Sequence, residues 1–295
     1  MPELPEVETV VRDLRPHLVG RRLASVRRGS RQSLRKPWRS SWNAEIAGRL
    51  VQSVSRRGKW ILIELDSRAV LVVHLGMTGQ LTLVSCADPI ADHTHLIFTL
   101  KDGPVELRFR DIRRFGSAVL FPSPSDVEVF FVQAKLGPEP FDLPVQYWRE
   151  QLHGSKRCIK AVLLDQTVAA GVGNIYADES LFAARLHPSR RACDLSDAEC
   201  DRLRKSVASV LRRAIERRGS SIRNYVGGSG LQGKYQNEFR AYGRTGEACP
   251  RCGHAIACLR LAGRSSHYCP ICQTNLIAVN AAESVRRQRK RKGAT

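Results

Sequence analysis

Four cysteines late in the chain, Cys249, Cys252, Cys269 and Cys272, fall in a C-x2-C-x16-C-x2-C pattern. No other feature narrows the fold as much. Two close pairs of thiolates separated by a short segment make a closed tetrahedral zinc site, with sulfur in every coordination position. The single Zn2+ is therefore read as structural, since no position remains for a reacting water. The segment between the pairs holds apolar residues and Arg264 and is expected to form a β-hairpin. Cys258, within it, is read as a packed thiol rather than a fifth ligand; His254 and His267 are the alternative ligands nearby. Cys86, Cys158, Cys193 and Cys200 are scattered, and the total of nine is odd. That usage fits a reducing compartment with one metal site and argues against a disulfide framework.

The second constraint is charge. Forty-eight Lys and Arg stand against 28 Asp and Glu, a formal net charge of +20. Such an excess draws polyanions, because cationic side chains release the counterions condensed on phosphates. An anionic membrane is the competing partner. However, no apolar run reaches the roughly 18 residues of a spanning helix, and no basic amphipathic helix of the membrane-surface type is evident. The N-terminus, MPELPEVETV, lacks the apolar stretch of a secretion signal. A cytoplasmic nucleic-acid-binding protein is the expectation. With 295 residues, 42% of them hydrophobic, the chain can bury one large core or two to three small ones.

Val7, Val10, Val11 and Leu14 recur at helical spacing and predict a helix over 5–18. A basic stretch follows between Arg21 and Arg39. From about 49 to 121 the pattern is of short strands: Trp60–Leu65, Val70–Leu75, Leu96–Leu100, Val105–Phe109 and Ala118–Phe121, with Lys101-Asp102-Gly103 as a hairpin turn. This reads as a sandwich or barrel. Leu136-Gly137-Pro138-Glu139-Pro140 reads as a linker, after which the chain turns helical. Ser196 with Glu199 makes a capping box, and Leu203, Val207, Val210, Leu211 and Ala214 mark the buried face of a long helix. Residues 219–233 are rich in Gly and Ser and predict a mobile loop. Six of the seven residues 286–292 are basic, a composition expected to be disordered and either to add sequence-independent phosphate contacts or to serve as a solvated tail that touches nothing.

Pro2 suggests covalent chemistry. Removal of Met1 would leave a secondary α-amine, whose pKa of about 7.7–8.0 keeps it partly neutral near pH 7. Its attack on a sugar carbon gives a cationic iminium, an electron sink. Glu3 is then an acid or base at hand. Alternatively, Pro2 and Glu3 simply begin a helix, as these residue types often do.

The motifs decide between these. MPELPEVET closely resembles the N-terminus of bacterial formamidopyrimidine-DNA glycosylases, and further matches follow in order: SRRGKW around Lys59, HLGMTG at 74–79, DIRRFG at 111–116, LGPEP at 136–140, GVGNIYADESLF at 171–182, AYGRTGEAC at 241–249 and GRSSHYC before the last cysteine pair. The resemblance spans residues 2–272. It implies an α+β protein with an N-terminal catalytic β-sandwich domain (2–135), a helix-two-turn-helix domain with a lesion loop (136–240) and a zinc-finger hairpin (241–275), ahead of a basic tail (276–295). It further implies a monomeric bacterial enzyme, cytoplasmic and nucleoid-associated through its DNA, that holds damaged duplex DNA in a cleft. Such an enzyme excises oxidised purines, chiefly 8-oxoguanine and formamidopyrimidines, and then cleaves the strand by β,δ-elimination in base excision repair.

By the same resemblance Pro2 is the Schiff-base nucleophile, Glu3 the general acid, Lys59 an aid to β-elimination and Arg264 an aid to δ-elimination, with Glu6 in support. Met77, Arg113 and Phe115 fill the void left by a flipped base. His93, Asn174, Lys59 and Arg264 clamp phosphates, and Lys160 lies near the damaged base. Residues 219–233 match the loop that closes over 8-oxoguanine. Two departures stand out: Ile112 replaces a proline common in the motif, which is expected to loosen that loop, and Ser155 stands where a basic residue is frequent. Endonuclease VIII, a relative preferring oxidised pyrimidines, is the nearest rival, and Met77 with Arg113 and Phe115 argues for the purine enzyme. A catalytically silent DNA-binding zinc protein is the other alternative, and intact Pro2, Glu3, Lys59 and Arg264 argue against it.

Overall fold

The computed structural model describes residues 1–29, 34–221 and 225–274. The basic tail, residues 222–224 of the expected lesion loop and residues 30–33 of the basic stretch lie outside the described residues.

Helix α1 (Leu4–Leu18) buries the stripe predicted for it: Val7, Val10, Val11 and Leu14 are fully enclosed. Eight strands follow: β1 (Leu23–Arg28), β2 (Val51–Arg57), β3 (Trp60–Leu65), β4 (Val70–His74), β5 (Gly79–Ser85), β6 (Thr94–Leu100), β7 (Val105–Asp111) and β8 (Ser117–Phe121). They form two antiparallel sheets, ordered β1-β6-β7-β5 and β2-β3-β4-β8. All five predicted runs are strands, and the hairpin at 101–103 joins β6 to β7.

Alternate residues of both sheets, including Ile61, Ile63, Leu71, Val73, Phe98, Leu107 and Phe109, share one core with the stripe of α1. Burying one face of each sheet against the other is what makes the sandwich. Val70 and Val72 point to the opposite face, where helix α3 (Pro124–Gln133) covers them with Val127 and Phe131. Between β1 and β2 lies a short helix α2 (Ser41–Ile46).

The segment 136–140 is no slack linker. Glu139 accepts the Gly58 amide at 2.7 Å and pairs with Arg56 at 2.8 Å, and the Arg57 guanidinium donates to the Gly137 carbonyl at 2.8 Å. These contacts strap it to the turn between β2 and β3.

Beyond it come α4 (Val145–His153), α5 (Ile159–Leu164), α6 (Asn174–Ala184) and α7 (Asp197–Glu216). Glu199 accepts the Ser196 amide at 2.9 Å and Ser196 Oγ accepts that of Glu199 at 3.3 Å, so the capping box forms. Leu203, Val207, Leu211 and Ala214 are fully buried, whereas Val210 sits at the edge of that face. Strands β9 (Ala257–Leu261) and β10 (Arg264–Tyr268) form the hairpin expected between the cysteine pairs. Among the described residues no helix is long and apolar enough to cross a membrane.

The chain divides into two compact units that do not follow chain order. The first holds residues 1–140, 166–173 and 211–238; the second holds 141–165, 174–210 and the remainder from 239.

Candidate functional site

In the first unit the chain start is fixed by reciprocal capping. Glu3 is extended, only 3% exposed, and its carboxylate accepts the Glu6 amide while that of Glu6 accepts the Glu3 amide at 2.8 Å. Pro2, next to them, is buried, and Met1 is half exposed. The second oxygen of Glu6 accepts the Ser220 amide at 2.7 Å, and the buried Tyr225 hydroxyl donates to the Glu6 carbonyl at 3.0 Å. Burial and the nearby Glu6 charge push the Tyr225 phenol well above its ordinary range. Both described flanks of the glycine-rich loop are thereby tied to α1.

A second segment of the chain meets the same residues. Gln166 braces it, donating to the Val172 carbonyl at 2.8 Å and accepting the Gly171 amide at 2.9 Å. Leu4 donates its amide to the Gly171 carbonyl, and the Lys59 ammonium, nearly buried, donates to the Val172 carbonyl at 3.1 Å. Glycine is required here. A Cβ on Gly171, whose φ is +99°, would stand 2.6 Å from the Leu4 side chain; one on Gly173 would stand 2.3 Å from Glu3 Cδ. Glycines also suit a backbone turn that approaches phosphate closely. The groups they approach in the structure are Leu4 and Glu3.

Met77, Arg113 and Phe115 line one pocket of about 670 Å³ together with Met1, His74 and Arg35. Phe115 is 44% exposed, and the Arg113 guanidinium lies 4.8 Å from its ring centre. His74 underlies the pocket: its Nδ1 accepts the Gly76 amide at 3.1 Å and its ring packs 4.6 Å from Trp60. Burial, followed by the charges of Lys59 and Arg35, lowers its pKa to about 4, so the imidazole is neutral near pH 7. His93 is exposed in the turn before β6, with a left-handed φ of +65°.

The remaining predicted residues lie in the second unit. Asn174 opens α6, and its Oδ1 has no hydrogen-bond partner among the described residues. Arg264 is exposed at the turn of the β9–β10 hairpin. Lys160 departs from expectation. Its side chain is wholly buried, paired with Asp178 at 2.6 Å and donating to the Ser265 carbonyl at 2.6 Å. Enclosed by protein in this way, the ammonium presents no charge at the surface. It ties α5 and α6 to the hairpin, helped by Asp178, which also accepts the His267 amide at 2.9 Å.

The ligand atoms of Cys249, Cys252, Cys269 and Cys272 all lie within 4.8 Å of one another, with Cys249–Cys272 and Cys252–Cys269 sulfurs 3.9 and 3.5 Å apart. A tetrahedral ion with Zn–S bonds of about 2.3 Å requires edges of about 3.8 Å. The four thiolates therefore fit one structural zinc. Neither histidine belongs to the cluster; His267 Nδ1 lies 2.9 Å from Asp178 instead. Cys258 is exposed rather than packed.

The sequence reading missed Gln166, Glu139 and Asp178. Glu139 and Asp178 act on residues far away in the chain and Gln166 within one short turn, and none belongs to a residue pattern that signals its role.

Residues 1–118 match the formamidopyrimidine-DNA glycosylase N-terminal domain, residues 136–226 the H2TH domain of the same enzymes and residues 246–275 the zinc finger found in FPG and IleRS. A formamidopyrimidine-DNA glycosylase of Desulforamulus reducens is 42% identical over 276 residues, 92% of this chain and 99% of that one. Among solved structures, that of MutM in complex with carbocyclic 8-oxo-G containing DNA superposes with a TM-score of 0.85 at 38% identity, covering 93% of this chain and all of that one. Lactococcus lactis Fpg in complex with an abasic site containing DNA gives 0.86 at 38% identity, covering 92% of this chain and all of that one. With this fold, this zinc cluster and this degree of identity along nearly its whole length, the chain belongs to the formamidopyrimidine-DNA glycosylase family.

Proposed function

We propose that this protein is a bifunctional DNA glycosylase and abasic-site lyase that removes oxidised purines, 8-oxoguanine and formamidopyrimidines, from duplex DNA in base excision repair. The observation that carries the reading is the constellation at the chain start, where Glu3 and Lys59 meet the same peptide, 171–173, beside Pro2. Relatives of known structure engage DNA containing an 8-oxoguanine analogue or an abasic site, and the same ligands suit this chain.

In the proposed reaction, Met1 is removed and the neutral Pro2 amine attacks the sugar C1′. A nitrogen–carbon bond forms as the base–sugar bond breaks, and the base departs with a proton; the C1′–O4′ bond then breaks, the proton given up by the Pro2 nitrogen passing to O4′, and the opened sugar is left as an iminium. The resulting iminium withdraws electrons, so that loss of a proton from C2′ expels the 3′ phosphate; a second elimination expels the 5′ phosphate. Glu3 serves as acid, and its burial between the cap and Gly173 fixes where that proton is delivered. Lys59 assists the first elimination and Arg264 the second. Met77, Arg113 and Phe115 occupy the space vacated by the flipped base, Met and Phe as apolar wedges and Arg as a fork of donors to the orphaned partner. His93 and Asn174 hold backbone phosphates. The zinc holds the hairpin that presents Arg264 and takes no part in bond making. The enzyme acts as a monomer in the bacterial cytoplasm, on the nucleoid.

Borohydride reduction tests the reading. On a duplex carrying 8-oxoguanine it should trap a protein–DNA adduct, and peptide mapping should place the sugar on Pro2. An adduct only on Lys59 would refute the nucleophile. Trapping only on thymine glycol would identify a pyrimidine enzyme.

A further inference from the structure

Beneath the pocket lined by Met77, Arg113 and Phe115 lies a carboxylate that the proposed chemistry does not use. Asp111 ends β7 and is fully buried. Its Oδ1 accepts the Thr78 hydroxyl at 2.5 Å, and its Oδ2 accepts the Gly116 amide at 2.7 Å. The Thr78 oxygen, with its proton committed to Asp111, accepts the Arg113 amide at 3.0 Å. The main chain of Asp111 is itself pinned: its amide donates to the His93 carbonyl at 3.0 Å, and its carbonyl lies 2.9 Å from His95 Nε2.

The backbones on either side are also in direct contact. A Cβ on Gly76 would stand 2.5 Å from the Gly116 nitrogen, and one on Gly116 would stand 2.8 Å from the His74 carbonyl. The loop carrying Met77 and the loop carrying Arg113 and Phe115 are therefore one rigid piece with Asp111 at its centre. A carboxylate suits that place because it offers two acceptor oxygens and no donor. An amide would turn an N–H toward either the Thr78 hydroxyl or the Gly116 N–H. The pins also bear on Ile112. The chain lacks the proline ring that would fix φ there, and the hydrogen bonds at Asp111 and Arg113 restrain the residue from both sides instead of leaving the loop slack.

We propose that Asp111, acting through Thr78, is the positioning residue that sets how Met77, Arg113 and Phe115 enter the base stack, and so how the enzyme senses the base opposite the lesion. The inference rests on the reading of those three as void-filling residues.

Full-length Thr78→Val, Thr78→Ser, Asp111→Asn and Arg113→Ala test it, in single-turnover excision of 8-oxoguanine opposite each of the four bases. A 2-aminopurine beside the lesion reports wedge insertion in the same duplexes. Thr78→Val should slow insertion about tenfold, the worth of one buried hydrogen bond. It should also shift the pattern of rates across the opposite bases toward that of Arg113→Ala. Thr78→Ser, which keeps the hydroxyl, should restore both. Thr78→Val matching the unaltered enzyme in both readouts overturns the proposal while leaving the void-filling reading intact. An Arg113→Ala enzyme with unaltered insertion and an unaltered rate pattern overturns the void-filling reading itself. If Asp111→Asn does not fold, the two Thr78 variants decide the matter.

Discussion

Replacing Gly173 with alanine adds one methyl group at the point where the chain start is most crowded. Its Cβ would lie 2.3 Å from Glu3 Cδ and 2.5 Å from Oε1. Carbon atoms in contact settle about 3.5–4.0 Å apart, so the carboxyl must retreat by more than roughly 1 Å. It is free to do so only by giving up the cap, in which it accepts the Glu6 amide. A lost N-cap costs about 1 kcal/mol of stability, a modest change for the fold. Catalysis should suffer far more, since a misplacement of about 1 Å can cost 10²-fold in rate. We expect Gly173→Ala to unfold in urea with a stability loss of about 1 kcal/mol and to excise 8-oxoguanine about 100-fold more slowly in single turnover. Strand cleavage at a preformed abasic site should fall less, because Pro2 and Lys59 keep their places and no base needs protonation. Wild-type excision by this variant would show that Glu3 is not needed where the structure holds it, and the acid role would be lost.

Cys249→Ser should release zinc, measurable by metal analysis, and abolish DNA binding while the first compact unit stays folded by circular dichroism; full zinc retention with normal binding would contradict a structural site. Lys160→Met leaves Asp178 buried without its ammonium, and should destabilise the second unit by about 3–5 kcal/mol in urea; unchanged stability with weakened DNA binding would restore the DNA-contact reading. His74 has a folded pKa near 4 against an ordinary 6.5, so the fold prefers the neutral ring. Its contribution is complete above pH 6.5 and is lost as pH falls toward 4, amounting to roughly 3 kcal/mol at the acid end. Urea midpoints measured from pH 7 to 4 should drop more steeply for the native chain than for His74→Phe.

The parts of this molecule that could be read from sequence are those written in local patterns. The stripe Val7, Val10, Val11, Leu14 repeats with the helical period, and strands such as Trp60–Leu65 alternate. The cysteine spacing carries its own geometry. Strand β1 is hidden in a basic stretch because only Leu23 and Val26 of its six residues are buried, so no alternation marks it. Motif resemblance singles out Glu3, Lys59, Met77, Arg113 and Phe115, yet it carries no sign of what holds them in place. Nothing in the spacing of Gly171 and Gly173 tells that the folded chain brings them against Leu4 and Glu3. Lys160 carries no mark in sequence of the aspartate that encloses it 18 residues on. Asp111 acts through Thr78, 33 residues earlier, across a strand pairing whose register is a property of the sheet.

The interleaved order of the compact units bears on how the protein is made. The first unit is complete only when residues 166–173 and 211–238 have joined residues 1–140. As the chain leaves the ribosome, Glu3 and Lys59 emerge long before Val172 and Gly173, the peptide they meet. Glu6 likewise waits for Ser220. At about 5–20 residues per second, the interval between residues 140 and 238 lasts roughly 5–20 s. Throughout it, the nascent chain carries its reactive groups without the geometry to use them. A chain truncated at 140 keeps the potential nucleophile and forms no Lys59–Val172 tether, so abortive translation products lack the arrangement through which the finished protein is proposed to cut DNA.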